Sequence, residues 1–253
     1  MAENNPNLLG LGFVANVLQP IQLVVWGELA ASFLGSHAVH SCYMLGVADE
    51  EMEIASQKLL AAGFVRESWS YSSSVDPATR INDEMYQRMQ AHLQPAFENF
   101  DRKTMRFHYP NTTKGVQQTI LLPASYIRLC ITNPSQDGYA DPATSLSQPP
   151  FYVEDNLHWP NVTMLLQSFL MAYLEEAASN GAELQAEFLC WGMTYLAREL
   201  ELRYDILDSC RYASVKELFD KTIERHSGRP RPQRQKWGKP RQKITNDMIA
   251  EFQ

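Results

Sequence analysis

Three groups of residues in this 253-residue chain have the types and spacing to do chemistry. His37, His40 and Cys42 are close together and metal-ligating by type. Their spacing fits no zinc template and no second ligand pair follows, so a core or loop role is expected and no metal site is assigned. On a strand, His40 and Cys42 would share one face while His37 points to the other. As a nucleophile, Cys42 would need a base and a depressed pKa, which a sequence does not display. Asp49, Glu50 and Glu51 form the second group. They stand where a helix opens, and carboxylates there complement the positive end of the helix dipole. Glu28 is the third: an acid directly after Gly27, at the start of a helix that could meet a ligand.

The elements that must position these residues are short and sharply punctuated. Leu23 to Trp26 is an apolar run closed by Gly27, which predicts a buried strand. Glu28 to Leu34 predicts a helix, stopped by Gly35. Ala38 to Val47 predicts a second strand, and Glu50 to Ala62 an amphipathic helix ended by Gly63. Phe64 to Tyr71 alternates and predicts a third strand. The opening is therefore β-α-β-α-β with short connections.

Strand, Gly, short helix, Gly, strand and acidic turn is the order that opens nucleotidyltransferase-fold domains. The stretch from Ile21 to Glu51 resembles the fungal members of the abortive-infection (AbiEii-type) nucleotidyltransferase-like superfamily. TILLPASYIRL, residues 119–129, and NLHWPNVTMLLQSFL, residues 156–170, resemble recurrent segments of the same relatives. The resemblance implies a small-residue pair after the first strand, close to a triphosphate. It also implies two carboxylates, spaced one apart on the second strand, that hold divalent metals. Here the pair is Gly27-Glu28, and Ser36 to Ala48 contains neither Asp nor Glu. The carboxylate positions are filled from His40, Ser41, Cys42, Tyr43, Met44 and Leu45.

Two-metal phosphoryl transfer depends on those carboxylates. The expectation is thus a nucleotidyltransferase-like fold that has lost nucleotidyl transfer and binds a small, largely apolar organic ligand without a cofactor. If it transforms that ligand, a metal-free cyclisation or isomerisation of biosynthetic type is expected, by positioning and proton transfer. Glu28, His40 and His108 are the expected acid–base residues. Trp26, Gly27, Cys42, Tyr126, Arg128 and Trp159 are the expected ligand contacts, on the implied position of the cleft over the sheet. Two other readings stand beside this one: an active nucleotidyltransferase using Glu28 with Asp49, and a non-enzymatic interaction protein.

Further along, Asn4 to Leu18 has helical spacing weakened by Gly10 and Gly12, and Ile81 to Leu93 predicts a helix over the sheet. Met105 to Tyr109, Gln117 to Leu122 and Ser125 to Thr132 read as strands, with a turn over 110–115. Asn133 to Pro150 is polar, rich in Pro and Ser, and predicts a long loop. Val162 to Leu174, Glu183 to Leu202 and Val215 to Arg225 predict helices. The fold class is therefore α/β (α+β), a mixed sheet with flanking helices followed by a helical half. The expected units are 1–150, 151–225 and 226–253.

Composition limits the partners. The 45% hydrophobic content supplies a sizeable core, and no run of 18 apolar residues exists to cross a membrane. Arg225 to Lys243 holds eight basic residues and no acid, which leaves 14 basic against 29 acidic residues elsewhere. So acidic a body disfavours nucleic acid, whose phosphates dominate binding. The basic segment is expected to lie as a strap on the body, with Ile244 to Phe252 as a terminal helix. Four scattered cysteines and an N-terminus without a basic start predict free thiols in a reducing, cytoplasmic setting.

Overall fold

A computed structural model describes residues 6–73, 77–110, 118–129, 131, 149–179 and 181–227. The loop expected over Asn133–Pro150 lies outside these residues apart from its last two, and the basic segment beyond 227, the terminal helix and most of the 110–115 turn lie wholly outside them. The chain forms a mixed α/β structure of seven strands and eight α-helices among the described residues.

α1 (Pro6–Leu18) leads into β1 (Leu23–Trp26), α2 (Gly27–Phe33) and β2 (Tyr43–Val47). A 3-10 turn at Asp49–Glu51 opens α3 (Met52–Ala61), as the acidic cluster predicts. β3 (Val65–Arg66), α4 (Glu84–Lys103), β4 (Met105–His108), β5 (Gln118–Pro123) and the single turn α5 (Ala124–Ile127) follow. β6 (Phe151–Glu154), β7 (Leu157–Pro160), α6 (Val162–Ala178), α7 (Ala182–Cys190), a π-helix at Trp191–Arg198 and α8 (Ala213–Ser227) complete the order.

The strands lie in the order β3-β4-β5-β2-β1-β7-β6. β1 runs antiparallel to β2 and parallel to β7, and β2 runs parallel to β5. β1 and β2 are buried along their whole length, which explains why they read as unbroken apolar runs. α1 and α3 pack together on one side, where Tyr109 donates to the Gly10 carbonyl of α1 at 2.8 Å. On the other side α6, α7 and the π-helix gather around Trp26. Its indole donates to Ser168 Oγ at 2.8 Å and meets the rings of Phe169, Phe188 and Trp191 edge-on, at 5.2, 5.4 and 5.6 Å. Each such aromatic pair contributes about 0.5–1.5 kcal/mol beyond its buried area.

Four expectations are corrected. β2 starts at Tyr43 and not at Ala38, because residues 36–42 arch towards the π-helix: the His37 amide donates to Glu199 Oε2 at 2.7 Å. The third segment forms a strand only over Val65–Arg66, with one further ladder bond from the Glu67 amide to the Arg106 carbonyl. The described part of the expected Ser125–Thr132 strand, residues 125–129 and 131, is not a strand. Its start forms α5, ended by Arg128 in the left-handed region, φ 55°, since a short apolar run suits a buried helical turn as well as a strand. Finally, residues 151–160 supply β6 and β7 to the same sheet, so the sheet draws on chain from both sides of residue 150.

Candidate functional site

The site forms where β1 ends and β2 begins. In the antiparallel register Trp26 faces Met44, so the first residues of α2 lie beside the start of β2. Gly27 has φ +70°, and a Cβ there would stand 2.9 Å from Met44 Sδ. Both the conformation and the close approach therefore require glycine. The turn delivers Glu28 to the side where α2 packs on the π-helix.

Glu28 meets two residues of the α7–π-helix unit. The Trp191 indole, a donor only, hydrogen-bonds its carboxylate. Glu187 lies four residues earlier, on the same side of the helix. Burial pushes the Glu28 carboxyl up and the Trp191 bond pulls it part of the way back. Burial, and then the charge of Glu28, push the Glu187 carboxyl up to about 7. Two half-buried carboxyls whose charges repel favour a state in which one of them holds its proton, and such a pair can offer an acid beside a base.

Cys42 and Tyr71 are near enough to feel the charge of both carboxyls. Burial first, then Glu28, push the Cys42 thiol up to about 12, which disfavours a nucleophilic thiolate. Burial, then the charges at Cys42, Glu187 and Glu28, push the Tyr71 hydroxyl well above the usual phenol range. Both are neutral donors. The Tyr71 amide is tied to Asp101 Oδ1 at 2.7 Å, where α4 comes over the sheet.

A second polar group continues from Cys42 and Tyr71 towards the β4 edge. Glu67, whose side chain is fully buried, accepts from Gln118 Nε2 at 2.7 Å and contacts His108 Nε2 at 2.5 Å. The buried Arg106 guanidinium lies 3.8 Å from Glu67 and 3.7 Å from Asp101. Burial pulls the Arg106 pKa down, while Asp101 and Glu67 hold it up.

Of the sequence-derived residues, Glu28, Gly27 and Cys42 come together, and His108 belongs to the adjoining group. The others lie elsewhere. His40 shares no strand face with Cys42, because β2 begins after both; its ring sits 5.8 Å from Tyr43, and its buried Nε2 makes no hydrogen bond among the described residues. Trp26 is core, as described above. Tyr126 is buried in α5, donating to Glu176 Oε1 at 2.7 Å, and Arg128 lies 3.7 Å from Glu175. Trp159 stacks on Phe33 at 4.3 Å. Asp49 cannot share an ion with Glu28. It follows the far end of β2, five residues beyond Met44 and on the order of 15 Å along the strand, where it accepts from the Ser125 amide at 2.9 Å.

Glu187, Trp191, Tyr71 and Glu67 were missed by sequence reasoning. The one signal for Glu187 is its position four residues before Trp191, and Glu183 and Gln185 in the same helix dilute it. No group of three His, Cys, Asp or Glu side chains placed to hold a metal ion occurs among the described residues, and no helix there is long and apolar enough to cross a membrane. No protein-family model, curated protein or solved structure matches the chain.

Proposed function

We propose that this is a nucleotidyltransferase-like protein that no longer performs metal-dependent nucleotidyl transfer. It binds a small, largely apolar organic ligand between β1, β2 and α7, and moves a proton on it. The observation that carries the reading is the Glu28–Glu187 pair. Burial and mutual repulsion raise both carboxyls, the Trp191 indole bonds to Glu28, and the Cys42 thiol and Tyr71 phenol feel the charge of both. Such a pair suits isomerisation or cyclisation, in which one proton is delivered as another is removed. The start of β2 supports the same reading, since Cys42, Tyr43 and Met44 stand where metal-holding carboxylates would be required.

Two measurements test this. Incubation with nucleoside triphosphates and Mg²⁺ or Mn²⁺ is expected to give no turnover; metal-dependent turnover that disappears in Glu28→Gln would refute the proposal. Ligand-observed NMR against a set of neutral aromatic and polycyclic compounds is expected to find binders that Glu187→Gln weakens by tenfold or more. Binders indifferent to both Glu28→Gln and Glu187→Gln would place the ligand elsewhere.

A further inference from the structure

We propose that Glu67 and His108 form a second proton-transfer station, with His108 Nδ1 as a general base for an acidic C–H or O–H on a planar unsaturated ligand. The inference stands on the geometry at β4 and not on the Glu28–Glu187 pair.

The pieces come from neighbouring strands. β3 and β4 pair antiparallel, and the pairing continues past β3 through the Glu67 amide, which donates to the Arg106 carbonyl at 2.9 Å. Arg106 and His108 are two apart on β4 and share a face. His108 and Gln118 are directly paired between β4 and β5. Glu67 therefore meets two donors and a cation: Gln118 Nε2 reaches both its oxygens at 2.7 Å, His108 Nε2 lies at 2.5 Å, and the Arg106 guanidinium stands 3.8 Å away as an ion pair. An ionised carboxylate only accepts, so its bond to the imidazole fixes the proton of neutral His108 on Nε2. The lone pair is then on Nδ1.

The His108 side chain is 39% exposed, whereas the Glu67 side chain is 0% exposed. Beside the imidazole lies the half-buried Trp69 ring, its centroid 5.8 Å from that of His108. A buried carboxylate behind a partly exposed imidazole, with an indole beside the ring, is the arrangement that orients a histidine as a base. A planar ligand stacked on Trp69 would present its ring-edge hydrogen to Nδ1. Glu67 touches no ligand in this arrangement; it is the positioning residue.

The test uses 5-nitrobenzisoxazole, a planar, uncharged carbon acid. Nδ1 takes its C3 proton, the freed C–H electron pair completes a nitrile as the N–O bond breaks, and the oxygen leaves as a coloured phenolate. The imidazolium then releases its proton to water. The full-length protein is expected to exceed the buffer rate at pH 8. His108→Gln is expected to return the rate to that of buffer, while replacing the exposed His92 by Gln leaves it within twofold. Glu67→Gln is expected to lower the rate about tenfold. In the same samples, ¹⁵N NMR of the imidazoles is expected to show neutral His108 protonated on Nε2 in the wild type and a mixture of tautomers in Glu67→Gln. A wild-type rate no faster than buffer, a rate unchanged in His108→Gln, or a wild-type His108 protonated on Nδ1 would each overturn the proposal.

Discussion

Glu187 is the residue whose environment departs furthest from what its place in the sequence suggests. On a helix such as α7, a Glu between Ala186 and Phe188 reads as a solvated position. The structure instead half-buries it within reach of the charge of a second carboxyl, Glu28. Glu28 was legible because Gly27 marks a close approach; Glu187 was not, because its partner is 159 positions away in sequence and nothing local records the meeting. The pairing has a thermodynamic signature. The folded pKa of Glu187, about 7, lies above its unfolded value, so the folded state binds the proton more tightly. That stability is fully present below the unfolded pKa of about 4.3 and is lost as pH rises to about 7. Urea unfolding between pH 4.5 and 8 should therefore show a decline in wild type that is flattened in Glu187→Gln. The variant should gain on the order of 2 kcal/mol over wild type at pH 8. Equal slopes in the two proteins would mean that Glu187 is not held protonated.

At the scale of elements, the sequence located β1, α2 and α6 well, because β1 is an apolar run closed by Gly27, α2 is bracketed by Gly27 and Gly35, and α6 has a long apolar period; β4 and β5 were found as short runs on either side of a turn signal. α6 also carries its own start signal, Asn161, whose side chain accepts from the Met164 amide at 2.9 Å. The misreadings share a cause. β7 is Leu157–Pro160, and a His and a Pro in four residues argue against a strand until β1 is seen lying beside it. α5 was misread because tertiary packing selects its conformation: Ile127 fills the space over Gly46, where a Cβ would fall 2.2 Å from Ile127 Cδ1. The junction of β1 and α2 is the element-level feature most sensitive to change. Gly27→Ala combines a left-handed backbone with a clash against Met44. It should cost about 2–4 kcal/mol in urea unfolding. Met44→Ala added to it should return part of the loss, since the clash is with a flexible side chain. A neutral Gly27→Ala would show that the turn is not built as described.

At the scale of the molecule, the division at residue 150 does not correspond to a division of the sheet. β7 covers one edge of β1, and β2 covers the other. A fragment of residues 1–150 would leave β1 as a bare, fully apolar edge strand. It is expected to be insoluble or unfolded when expressed alone, as read by circular dichroism and sedimentation. A stable, monomeric fragment would show that the first part folds independently of β7.

The parallel pairing of β1 with β7 has a consequence in time. Leu23 meets Leu157, about 130 residues later in the chain. At a synthesis rate of about 5–20 residues per second, β1 leaves the ribosome roughly 7–26 s before its partner exists. Through that interval an interior strand of the finished sheet is an unfinished margin on a growing polypeptide. Birth order thus makes Leu23–Trp26, the most protected strand of the mature protein, the one that waits longest for protection.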